Sequence, residues 1–408
     1  MARLERIVER LELKEFQLRA LLDVTKAINA NMDRGDLLAL YERIVREDLG
    51  ITRLMLFEKA ERWERILSYG HTGRAEDLDV ERIFSAYQDI QVINSESAGS
   101  LGAFDVAVPV YHREQPLAFL LIGDIDEEEQ RMSPTVKHLN FIQTLTNLIV
   151  VAMENKRLAR QALLQERARR ELELAAEMQS MLVPRELPND SRIQADAWYQ
   201  PHGQVGGDYY DLVRLNEDEL VLCVADVSGK GMAAALLMSN FQANIRALAH
   251  EAATDLPALV ALLNDKVNAS ARGERFITLF IAHADLRTRR LRYVSAGHNA
   301  ALLQTGAGIA RLSDGCVALG MLPSLPFLKP GERDLPPGST LLCYTDGLVE
   351  QENAAGEELG TQEVERLLTM HESEGPARIG QALKAAYELH RGDQPFLDDI
   401  AVLTCRFE

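Results

Sequence analysis

ADVSGKGMAAALLMSNFQANIRALAH, residues 225–250, decides the fold of the second half of this chain. The apolar run VLCVAD reads as a buried strand that delivers Asp226 at its end. Ser228 to Gly231 form a sharp turn, and a long helix follows from Gly231 to His250. Gly229 and Gly231 allow the backbone to approach a ligand closely, and free N–H groups at the helix start suit phosphate. A Walker A reading fails, because Lys230 is followed by Gly231 rather than Ser or Thr.

Three more acidic segments share this character: GGDYYDL (Gly206 to Leu212), YTDGLVE (Tyr344 to Glu350) and DDIAVLT (Asp398 to Thr404). Each sets an Asp at the edge of a strand-like apolar run. Carboxylates so placed are costly unless a cation neutralises them. A pair of hard divalent ions, which prefer oxygen ligands, is the simplest neutraliser, and it points to two-metal hydrolysis. One such Asp would be an ordinary turn residue; four within one domain are not. Asp211 follows Asp208 by three residues and is free to face elsewhere. Asp398 and Asp399 are adjacent, so their side chains point to opposite faces and one of them faces the metals. Glu350 is a further carboxylate close to Asp346.

The bulk numbers bound the rest. With 408 residues the chain holds two or three domains. Apolar content of 47% and charged content of 26% are ordinary for globular proteins. A net charge of −18 disfavours nucleic acid as the main partner. Cys223, Cys316, Cys343 and Cys405 show no metal spacing and read as small buried hydrophobes in a reducing compartment. The charged start Met1 to Arg10 is no signal peptide, and no apolar run reaches the roughly 20 residues of a membrane span. A soluble cytoplasmic protein is expected.

Ahead of residue 153 the periodicity predicts helices over Ala2 to Asn31 and Asp33 to Leu49, the latter capped by Asp36. Strands are expected at Leu54 to Phe57 and Ile66 to Tyr69, and a short helix at Glu81 to Gln88. Two more strands lie in Ala103 to Asp124 around a turn at His112 to Gln115. A helix over Ser133 to Ala152 is capped by Ser133, with Pro134 first. This order suggests an α+β sensor with a central antiparallel sheet. With the phrase LLDVTKAINANMDRGDLLALYERIV it resembles a GAF domain over residues 18–153, a PAS domain being the nearest alternative. His71, His112 and His138 read as packing or surface residues rather than haem ligands. No Cys precedes Cys223, so the sensor holds no thioether-linked bilin.

From Val150 to Leu182 the chain lacks Gly and Pro and is rich in helix formers. Leu158, Ala168, Leu172, Ala175 and Leu182 fit a heptad seam that Gln161, Gln165 and Gln179 interrupt. This predicts an adjustable coiled coil that forms a homodimer and packs near the helix of residues 231–250. Pro184 and Pro188 end it. Beyond Arg192, VLCVAD, ITLFIAHAD, LRYVSAG, TLLCYTD and IAVLTCRF are strand-like, and Leu256 to Asn268 is helical. Two antiparallel sheets flanked by helices are expected.

In order, AEMQSMLVP, VGGDYYDL, VADVSGKGMAAALLMS, FITLFIAHADL, YVSAGHNAALL, LGML, LLCYTDGLVE and DDIAVLT resemble the metal-dependent PPM (PP2C-type) Ser/Thr phosphatases of the bacterial SpoIIE/RsbU branch, over Ala175 to Phe407. The resemblance implies an α-β-β-α sandwich. The expected division is an α+β chain with an N-terminal helix and sensor (1–153), a helical linker (154–184) and a phosphatase domain (185–408). It implies two Mn²⁺ or Mg²⁺ ions held by Asp208, Asp226, the Val227 carbonyl, Asp346 and Asp398, with Asp211 and Asp399 demoted. Two such ions would lower the pKa of a water held between them, so no Ser, Cys or His nucleophile is required. His298, with Asn299, is expected to do structural work. The phosphate-gripping Arg of eukaryotic members has no counterpart within Pro201 to Val205. The implied substrate is a phosphorylated STAS-domain anti-sigma factor antagonist. A phosphatase-fold scaffold and a two-metal hydrolase of small phosphate esters are the competing readings.

Overall fold

The computed structural model describes residues 2–70, 79–86, 89–93, 104–112, 115–123, 134–252 and 255–408. It forms two compact units, Met1–Glu166 and Arg167–Glu408. His71, the Ser133 cap, residues 113–114 of the expected turn and residues 87–88 of the expected short helix lie outside the described residues, as does the His112 side chain. No helix among the described residues is long and apolar enough to cross a membrane.

The first unit runs α1 (Ala2–Asn29), α2 (Arg34–Arg43), β1 (Arg53–Lys59), β2 (Trp63–Tyr69), α3 (Val80–Ala86), β3 (Gln91–Val92), β4 (Val106–His112), β5 (Gln115–Gly123) and the greater part of α4 (Pro134–Ser180), whose last turns fall in the second unit. The strands form one antiparallel sheet in the order β2-β1-β5-β4-β3. Both of its faces are covered, so β1 is apolar at consecutive positions instead of alternating. Leu54 and Leu56 pack with Val24 of α1, Tyr41 of α2 and Ile142 and Leu145 of α4. Met55 and Phe57 pack the other way, with Val80 and Phe119. The buried Tyr41 hydroxyl is paired with Thr146 Oγ1 at 2.7 Å, which ties α2 to α4. His138 is buried, with its Nδ1 3.5 Å from Gln17 Nε2.

Two details differ from expectation. The α2 cap is Asp33, not Asp36; the Asp33 carboxylate accepts the Asp36 N–H at 2.9 Å, as the residue before the first helical turn should. The edge strand β3 has two residues, too few for any periodicity to announce it.

The second unit adds β6 (Ile193–Gln200), β7 (Tyr209–Arg214), β8 (Glu219–Val227), α5 (Met232–Ala252), α6 (Leu256–Ala271), β9 (Ile277–Asp285), β10 (Arg290–Ala296), β11 (Ala301–Thr305), β12 (Gly308–Leu312), β13 (Gly315–Cys316), β14 (Gly331–Asp334), β15 (Ser339–Tyr344), α7 (Asp346–Val349), α8 (Gly360–Met370), α9 (Pro376–Arg391) and β16 (Ile400–Phe407). One sheet has the order β13-β10-β9-β8-β7, with β14 also on β10; the other has the order β12-β11-β15-β16-β6. Pairing is antiparallel except for the short β10–β13 contact.

Alternation along the strands builds three cores. Leu222, Val224, Phe280, Leu341, Leu403 and Phe407 fill the space between the sheets. Val221, Cys223, Leu279 and Ile281 point outward to Met238 and Phe241 of α5 and Leu263 of α6. Leu342, Tyr344 and Val402 point outward on the other side, to Leu367 of α8 and Ile379 of α9. The result is the four-layer α-β-β-α sandwich. All four cysteines are buried and free.

Candidate metal centre

β7, β8, β15 and β16 start or finish near one point of the sandwich, and that brings the acidic segments together. Gly206 and Gly207 lead into β7 through a gap too small for a side chain. A Cβ on Gly206 would lie 2.6 Å from the Tyr199 hydroxyl, and one on Gly207 would lie 2.9 Å from the Val227 carbonyl oxygen. Asp208 thus enters the site directly beside the main chain that follows Asp226. The turn after Asp226 has Gly229 and Gly231 at φ +82° and +77°.

Asp208 is 1% exposed and accepts the Thr345 hydroxyl at 2.6 Å. Burial, then the charge of Asp226, pushes it well above the usual carboxylate range, against the Thr345 hydrogen bond. Burial, then Asp346 and Asp398, pushes Asp226 up to about 7. Asp346 is raised by burial and then by Asp398, with the Gly347 N–H and Lys230 opposing. These carboxylates therefore repel one another in a poorly solvated place, which is an unstable arrangement without positive charge. Their all-oxygen chemistry fits a hard divalent ion, and the Val227 carbonyl adds a neutral oxygen. Among the described residues no group of three carboxylate, imidazole or thiolate side chains is drawn together as a finished cage.

Asp398 faces outward, with Oδ2 2.9 Å from the Lys230 ammonium. Its neighbour Asp399 is buried and accepts the backbone N–H of His202 at 2.7 Å and of Gly207 at 2.5 Å. Asp399 thus fixes the Gly206–Gly207 loop, and the pair divides as alternation requires. Asp211 also turns away. It is fully buried, accepts the Tyr209 hydroxyl, and is gripped by Arg246 of α5 at 2.7 and 3.0 Å. His298 Nδ1 lies 2.9 Å from Thr278 Oγ1, and burial holds its pKa down to about 4, so it is neutral at pH 7.

Three residues at the site were not assigned to it from sequence. Thr345 supports Asp208, Lys230 pairs with Asp398, and Gln179 holds the glycine loop from behind. Gln179, near the end of α4, is buried; its amide donates to the Gly206 carbonyl at 2.6 Å and accepts the Gly206 N–H at 3.1 Å. One of the three residues that interrupt the heptad seam is therefore one that the second unit uses. Of the seam, Leu172, Ala175 and Leu182 are half-buried, whereas Leu158 and Ala168 are exposed. Just past α4, the Leu182 carbonyl accepts from Gln242 of α5 at 3.4 Å.

Residues 216–408 match the family model of Stage II sporulation protein E (SpoIIE). The chain is 29% identical to Protein IcfG of Synechocystis sp. over 49% of its own length and 36% of that protein's. It is 28% identical to the phosphoserine phosphatase RsbU of Bacillus subtilis, over 46% of this chain and 56% of that one. It thus spans about a third to a little over half the length of these relatives. The SiaA PP2C domain of Pseudomonas aeruginosa superposes with a TM-score of 0.54 at 22% identity, covering 60% of this chain and all of that one. Strand order, acidic cluster and these likenesses agree: residues 216–408 resemble the SpoIIE family, and the second unit has the sandwich fold of the SiaA PP2C domain.

Proposed function

We propose that the chain is a divalent-metal-dependent protein phosphatase. It removes phosphate from phosphoserine or phosphothreonine of a STAS-domain anti-sigma factor antagonist in a cytoplasmic partner-switching pathway. The observation that carries this reading is the convergence of Asp208, Asp226, Asp346 and Asp398 at one place, where burial and then the charge of neighbouring carboxylates raise the proton affinities of Asp208, Asp226 and Asp346. The name of the RsbU relative, phosphoserine phosphatase, supports the substrate class.

Asp208, Asp226, Asp346, Asp398 and the Val227 carbonyl would hold two Mn²⁺ or Mg²⁺ ions. Bound there, the ions supply Lewis acidity toward water and phosphate. The chain's own work is positioning. Thr345 orients Asp208, while Asp399 and Gln179 fix the loop that carries it. Burial of the cysteines argues against a thiolate nucleophile, since it pushes Cys316 up to about 11 and Cys405 up to about 12.

The first unit is read as a GAF-like sensor acting through α4 on the site, with Gln179 as the point of delivery. It is also read as part of a homodimer, formed through the sensor and the linker helix. α1 supports this: Leu4, Val8, Leu11, Leu18 and Leu22 recur at heptad spacing and are 47–70% exposed. They lie opposite the buried Ala20, Val24 and Ala27.

The test is release of phosphate from a phosphorylated STAS protein by the full chain with Mn²⁺. Release that needs the metal and spares free nucleotides supports the reading. Equal turnover of unrelated nucleotides would favour small phosphate esters, and an inert wild type would favour a scaffold.

A further inference from the structure

We propose that Lys230 is the phosphate-binding cation of this site, and that it exchanges Asp398 for the oxygens of the substrate's phosphoryl group. The proposal rests on the phosphatase reading and names the group that receives the phosphate.

Charge bookkeeping calls for such a group. Four ionised carboxylates carry four negative charges, and two divalent ions no more than cancel them. Asp399 adds a buried carboxyl that accepts the backbone N–H groups of His202 and Gly207. A phosphomonoester near neutral pH brings close to two further negative charges. Pro201 to Val205 provides no Arg to meet them.

Lys230 is placed to do so. It projects from the loop between β8 and α5, four residues after Asp226. Its ammonium lies 2.9 Å from Asp398 Oδ2 and donates to the Leu397 carbonyl. The loop itself is anchored: Ser228 Oγ accepts the Phe276 N–H at 2.9 Å, and the Arg275 guanidinium donates to the Ser228 carbonyl. The side chain beyond that anchor is the adjustable part. Both partners of the ion pair are close to half exposed, at 48% and 41%. A pair so exposed is weak and exchanges readily for a stronger partner. With Asp398 engaged as a metal ligand, the Lys230 ammonium would be free to pair with the phosphate. Lysine suits this task, as a compact charge on a flexible stem.

The experiment titrates inorganic phosphate calorimetrically into the full chain loaded with Mn²⁺, for the wild type, Lys230→Gln and Lys230→Arg. Phosphate binding at least about tenfold weaker in Lys230→Gln, largely recovered in Lys230→Arg, is the expected result. Mn²⁺ affinity of the Gln variant, titrated separately, should equal or exceed that of the wild type, because an ammonium no longer competes for Asp398. Unchanged phosphate affinity in Lys230→Gln would overturn the proposal. So would loss of Mn²⁺ binding in that variant, which would make Lys230 a support of the metal shell. A wild type that takes up no Mn²⁺ would overturn the phosphatase reading itself, and this proposal with it.

Discussion

Asp208 is sealed from water beside other carboxylates, and the hydroxyl of Thr345 is its hydrogen-bonded support. The same oxygen accepts the Ala401 N–H at 2.8 Å, so Thr345 links β15, β16 and the start of β7. Groups that orient a metal ligand typically matter about 10- to 100-fold in affinity. Thr345→Val keeps the shape and removes the donor. It should weaken Mn²⁺ binding by about tenfold, read by calorimetry, with the circular dichroism spectrum unchanged; undiminished affinity would show that the hydroxyl has no part in holding Asp208. Each carboxylate stands out in the sequence by itself, because each sits at the edge of an apolar strand-like run, three of the four with a glycine close by. Their supports do not. Thr345 lies 137 residues from Asp208, and Lys230 is 168 residues short of Asp398. Only the two sheets packing face to face bring such pairs together.

At the scale of the element, α4 matters most. Its early part buries Phe141, Ile142, Leu145, Ile149 and Val150 in the core of the first unit. Its last turns belong with the second unit, which begins at Arg167. Counting heptads scores Gln179 as a defect, because a seam is judged by apolarity alone. The buried amide is instead matched, donor and acceptor, to one backbone unit. Gln179→Leu would leave the Gly206 N–H and carbonyl unpaired, at about 1–3 kcal/mol each. The variant should melt several degrees lower and bind Mn²⁺ more weakly. A chain beginning at Arg185 lacks Gln179 altogether and should share the metal defect. Metal affinity and activity equal to the full chain would remove α4 from control of the site. Elements with long periodic patterns were legible from the sequence: α1, α5, α6 and the core strands fall where periodicity puts them. The two-residue β3 and the Asp33 cap did not, since each depends on a few local contacts.

Across the whole molecule the α-β-β-α sandwich follows from strands that are apolar on both faces, which forces a layer on each side. The exposed stripe on α1 has a different logic. Five large apolar side chains at heptad spacing on a face turned away from the core suit a matching helix. Light scattering should give twice the chain mass, and Leu11→Glu with Leu18→Glu should give a monomer with its fold intact. A wild type that stays monomeric at high concentration would refute self-association through this face.

The central claim is that the four strand-edge aspartates work together through divalent metal. It is tested most directly by phosphate release from a phosphoserine STAS protein, measured against Mn²⁺ concentration for wild type, Asp226→Asn and Asp346→Asn. The account predicts saturable, Mn²⁺-dependent release by the wild type and a loss of at least about a thousandfold in each folded variant, since losing one ligand undoes the shared charge balance. Turnover retained in both variants, or wild-type turnover indifferent to chelation of the metal, would contradict it.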